Sequence, residues 1–131
     1  MKKLLCGLAF ILSIATMGSV ALAHHSLSAY DITKSIEIEG TVKEFQWGSP
    51  HCWLIVTVLD EKGGSTEWVL EAGTPVVNNQ FGWKRDDLKA GDKVKVTAFP
   101  VRDGSAHGAL MKVVLANGRV LEGPLATYLK K

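Results

Sequence analysis

From Ser35 to Leu115 the chain keeps returning to one pattern, short runs in which apolar and polar residues alternate. A period of two places the two sets of side chains on opposite faces of an extended strand. Ser35 to Trp47 sets Ile36, Ile38, Gly40 and Val42 against Glu37, Glu39, Thr41 and Lys43. The glycine marks a bend or bulge. After the breaker Gly48-Ser49-Pro50, Cys52 to Leu59 predicts a second strand rich in β-branched residues. Asp60 to Gly64 reads as a hairpin turn, and Ser65 to Ala72 as a third strand with Trp68 and Leu70 on one face. Lys93 to Phe99 and Gly108 to Leu115 are the fourth and fifth strands. Val120-Leu121 is a last extended piece, and Gly123-Pro124 ends the regular structure.

Between the third and fourth strands the period changes. Thr74 offers a side-chain acceptor, Pro75 a fixed φ at the first helical position, and Gly82 a residue that tolerates the left-handed exit. A helix of about two turns is expected there. Three strands, a short helix and two strands predict a mostly β fold: a small five- to six-stranded OB-like barrel, its helix plugging one end. A β-sandwich with a helical connection is the main rival.

The front of the chain has a different character. Met1-Lys2-Lys3 precedes an uncharged stretch from Leu4 to Ala23 that closes on Ala21-Leu22-Ala23. A positive start, an apolar middle and a small-x-small ending form a cleavable signal peptide over residues 1–23. The protein is therefore expected to be periplasmic or secreted, with no membrane span after processing. Residues 24–34 form an irregular arm, 35–123 the barrel and 124–131 a tail. Lys2 and Lys3 leave with the signal, so Lys+Arg falls from 15 to 13 and balances the 13 Asp+Glu. A neutral domain does not suit nucleic acid, whose binding needs a basic face. Cys6 leaves as well, and the remaining Cys52 is expected in the core.

Cleavage after Ala23 makes His24 and His25 the first two residues of the mature protein. A free α-amine and the Nδ1 of a terminal histidine close a chelate ring on one metal. The amine, a deprotonated amide nitrogen and the imidazole of a second-position histidine form another nitrogen set. Both suit the square-planar preference of Cu(II). The unperturbed α-amine loses its proton near ~7.7–8.0, so the site is accessible at neutral pH. His51 and Cys52 enter the second strand on opposite faces, which puts Cys52 inside and His51 at the barrel mouth as a third candidate ligand. The plain alternatives are a mobile terminal arm and a loop histidine bonded to backbone. His107 falls in a polar turn, and Met111 alone does not make a Cu(I) site.

Four tryptophans are many for this length. Trp53 or Trp68 is expected in the core. Trp47 and Trp83, beside turns, either line a shallow groove with Pro50 or fill the barrel ends. No Ser or Cys stands in a pattern with a base and an orienting group, so no enzyme is expected.

These residues together resemble a family of small secreted bacterial proteins of unknown function. The likeness rests on His24-His25-Ser26, on Trp47-Gly48-Ser49-Pro50-His51, on Gly82-Trp83 with Leu88 and Gly91-Asp92, and on Ala116-Asn117-Gly118-Arg119. Ser49 stands where the family has Asn, and Leu27 where it has Phe. The resemblance implies that His24, His25 and His51 are motif positions. The sequence thus points to a non-enzymatic periplasmic binding protein holding copper at its processed N-terminus. Its alternative is a module that takes a small ligand or an envelope protein through Trp47, Pro50 and Trp83 without metal.

Overall fold

The computed structural model describes residues 25–130. The expected signal peptide and His24 lie outside them. β1 (Ile36–Gln46) is long enough to serve two neighbours. Its first half, Ile36 to Thr41, pairs antiparallel with β4 (Lys93–Pro100), and its second half, Thr41 to Gln46, with β2 (Trp53–Leu59). Gly40 sits at the change of partner. A Cβ there would lie 2.4 Å from the Thr57 carbonyl oxygen and 2.8 Å from Val56 Cγ1, so only glycine lets the two backbones come this close. The register slips between Val42 and Glu44, a bulge that adds to the bend.

β2 pairs antiparallel with β3 (Ser65–Glu71), and β4 with β5 (His107–Leu115). The barrel closes where β3 meets β5 in parallel, through Val69↔His107, Leu70↔Gly108 and Glu71↔Ala109. The closed order β1–β2–β3–β5–β4 is that of an OB barrel, as expected from the sequence. An extra strand, β6 (Val120–Glu122), pairs with the far half of β5.

Leu54, Val56, Leu70, Val96 and Val113 fill the interior, each fully buried. Each such side chain contributes about 1.5–3 kcal/mol relative to exposure. Cys52 is among them, as its strand position predicts. Between β3 and β4 lies α2 (Pro75–Gln80). Thr74 caps it, its hydroxyl accepting from the Val77 amide at 3.2 Å. Gly82 (φ 84°) turns the chain out of it. Among the described residues no helix is long and apolar enough to cross a membrane.

Two expectations are corrected at the flanks. The arm is not irregular throughout: α1 (His25–Ser28) is one helical turn, and Tyr30 then bridges to Val101. The Asp31 amide donates to the Pro100 carbonyl at 2.8 Å and the Arg102 amide to the Ala29 carbonyl at 3.0 Å. Nor does regular structure end at Pro124, because a 3-10 helix follows over Pro124–Lys130. Both segments dock for one reason. Phe99, Ala109 and Met111 form a second buried apolar cluster with Tyr30, apart from the barrel interior, and Leu125 packs on it. β5 is therefore buried on both faces, which explains its continuous apolar run Ala109-Leu110-Met111.

Candidate functional site

The strand register brings three distant polar residues together beside the β3–β5 seam. Glu71 alternates with the interior residues Leu70 and Ala72, so its side chain stands on the outer wall. Trp53 is its register partner on β2. His51 lies just before β2, held there because the Cys52 amide donates to the Gly73 carbonyl at 3.0 Å and the Ala72 amide to the Cys52 carbonyl at 2.9 Å. Tyr30 arrives from the arm.

Glu71 joins the other two. The Tyr30 hydroxyl donates to Glu71 Oε2 at 2.5 Å, and His51 Nδ1 lies against Glu71 Oε1 in hydrogen-bonding contact. The Glu71 side chain is 14% exposed and that of His51 32%, so the carboxylate is nearly covered while the imidazole keeps an open side. Burial, and then the hydrogen bond and charge of Glu71, push the Tyr30 phenol well above the ordinary tyrosine range. The hydroxyl therefore stays protonated and donating at neutral pH.

The three residues share the wall of a pocket of about 170 Å³. Leu27 of the arm, Ala109 and Leu110 of β5, and Pro124 and Leu125 of the C-terminal segment supply the apolar remainder. His51 is thus not at an open barrel mouth, as expected, but on the outer wall under two docked segments. Chemically the pocket offers one imidazole whose Nδ1 is engaged, an apolar surround, and the arm leading directly toward the N-terminus.

Of the other expected metal ligands, His24 lies outside the described residues, and His25 begins α1. Among the described residues no three His, Cys, Asp or Glu side chains converge as a metal set. His107 is exposed, its Nδ1 3.3 Å from the Ser105 hydroxyl. Met111 is fully buried.

The expected ligand-binding residues are not brought together around the pocket. Trp83, expected at a groove or a barrel end, takes the second place. It is 1% exposed, its Nε1 donates to the Glu122 carbonyl at 2.8 Å, and its ring lies 6.0 Å from that of Phe45. It can touch no ligand without unpacking the barrel. Trp47 is half-buried and meets Phe45 edge-on at 5.7 Å. Pro50 is exposed, after a cis Ser49–Pro50 bond. Trp68 packs against the interior as expected, whereas Trp53, out of phase with the buried Cys52 and Leu54, is half-buried on the outer wall.

Tyr30 and Glu71 are the residues that sequence reasoning missed. Glu71 reads as one more polar residue on an alternating strand. Its faint signal is its place at the strand end, where register sets it against residues from the first loop.

No curated protein matches the sequence. Among solved structures, the chain is similar to the S. cerevisiae mitochondrial single-stranded DNA binding protein Rim1, with a TM-score of 0.49 and 13% identity. The alignment covers 63% of this chain and 93% of that one. The model of the Family of unknown function (DUF6152) matches residues 11–111, and the chain belongs to that family.

Proposed function

We propose that this chain is an exported, non-enzymatic binding protein that holds one copper ion between its processed N-terminus and His51, for metal carriage or buffering. One observation carries the reading: Leu27 of the arm and His51 line the same pocket. Cleavage after Ala23 would free the amine of His24, three residues before Leu27. An extended chain spans at most about 3.6 Å per residue, so that amine would stay within roughly 11 Å of the Leu27 backbone. The His24 amine and imidazole would form the chelate, with His25 or its amide nitrogen adjoining. His51 would close the nitrogen set through Nε2, the ring nitrogen that does not face Glu71.

The test is a Cu(II) titration of protein beginning at His24, read by visible absorption and electron paramagnetic resonance. Tight one-to-one binding is expected. One extra N-terminal residue should abolish the tight phase, and His51→Ala should weaken it about tenfold or more, at least ~1.4 kcal/mol. Weak binding that is the same in all three proteins would refute the copper reading. It would favour the second one, a metal-independent site for a small ligand, for which the apolar lining of Ala109, Leu110, Pro124 and Leu125 speaks.

A further inference from the structure

We propose that Glu71 is the positioning residue of this site: it holds His51 through Nδ1–H so that Nε2 is the ligating nitrogen, and Tyr30 fixes the carboxylate from its other side. The use of this device rests on the copper reading, whereas its geometry does not.

An ionised carboxylate only accepts hydrogen bonds. Glu71 Oε2 is taken by the Tyr30 hydroxyl, and Oε1 faces His51 Nδ1. A neutral imidazole has one N–H, and an acceptor-only neighbour at Nδ1 draws the proton there. The lone pair is then on Nε2. Metal-bound histidines ordinarily donate their other N–H to such an acceptor, which fixes the tautomer and the ring plane. The device also ties three segments into one unit, since Tyr30 comes from the arm, His51 from the loop before β2 and Glu71 from the end of β3. The arm that would deliver the terminal ligands therefore also braces the carboxylate that aims His51.

Glu71→Gln tests this sharply because it keeps the shape and changes the donors. The Tyr30 hydroxyl needs an acceptor, so the new amide should turn its oxygen toward Tyr30 and its NH2 toward His51. That NH2 would donate to Nδ1 and move the imidazole proton to Nε2, which blocks the ligand. Copper affinity should fall roughly 10- to 100-fold. Adding Tyr30→Phe frees the amide to flip, and the double variant should regain much of that loss. Merely additive losses would not come from such a mechanism.

The experiment combines nitrogen-15 nuclear magnetic resonance of His51 in the metal-free protein at pH 8 with Cu(II) titrations of the wild type and both variants. Thermal unfolding shows which variants are folded. Dominance of the Nδ1–H tautomer in the wild type and rescue by the double variant support the proposal. Dominance of Nε2–H overturns it whether or not the variants fold. If wild-type binding depends on His51 but Glu71→Gln binds equally well, the positioning role fails and the copper reading survives. If the wild type binds no copper tightly, the copper reading fails and the tautomer alone decides the positioning role.

Discussion

Replacing Trp83 by Phe separates a residue that holds the barrel shut from one that meets a ligand. The indole is 1% exposed and its Nε1 reaches the Glu122 carbonyl at 2.8 Å. That bond ties the connector after α2 to β6, across 39 positions. Loss of a neutral hydrogen bond costs about 1 kcal/mol net, and more where the carbonyl is left unsatisfied. The smaller ring also leaves a void of roughly 40 Å³, which at about 24 cal/mol per Å³ adds ~1 kcal/mol. The sum is about 2 kcal/mol, a large part of the roughly 5–15 kcal/mol that holds a domain of this kind together. It corresponds to a fall in melting temperature of roughly 10 °C. Urea unfolding followed by circular dichroism measures the free energy directly, with an unchanged slope showing that the unfolding transition is the same. On the copper reading proposed above, the folded variant should bind the metal no more weakly than the wild type. A destabilisation below about 0.5 kcal/mol, the range of ordinary surface substitutions, would refute the assignment of Trp83 to the barrel end.

Two further outcomes follow from the same geometry. Gly40→Ala forces a methyl to within 2.4 Å of the Thr57 carbonyl oxygen, so urea unfolding should show a loss of about 1–3 kcal/mol or more, and a neutral result would mean that β1 and β2 are not so closely apposed. Tyr30 is favoured in its protonated form when folded, by burial first and by Glu71 second, so its contribution is complete below pH 10 and is lost as the pH rises beyond the ordinary tyrosine value. Urea midpoints at pH 8 and pH 11 should therefore drop further for the wild type than for Tyr30→Phe. Equal drops would show that Tyr30 is not held protonated.

Most of the barrel was legible because alternation and punctuation agree. The ladder residues of β1 to β5 fall within one or two positions of the expected strands, and Thr74, Pro75 and Gly82 mark α2 by local chemistry alone. The flanks were not legible for an equally physical reason. Tyr30 and Leu125 stand in short segments without a regular apolar period, and only the second buried surface on β5 gives them somewhere to go. The site was less legible still. His51 stands out as a histidine beside a strand, but its partners are 20 and 21 positions away. The parallel seam that seats Glu71 beside Ala109 joins residues 38 apart. Trp53 shows the same limit from the other side, since its alternation with Cys52 and Leu54 was visible but the size of its ring argued for the interior.

The meeting of the arm and the C-terminal segment over one pocket also bears on how the protein should be handled. Leu27 and Leu125 touch the same small space from opposite ends of the sequence. If the chain is cut after Ala23 as proposed, a purification handle fused before His24 would remove the free amine and, if made of histidines, supply rival ligands for the metal. A handle after Lys131 would pull on the segment that roofs the pocket. Material prepared with either one would report on the handle as much as on the site, so the informative preparation begins at His24 and carries no handle at either end.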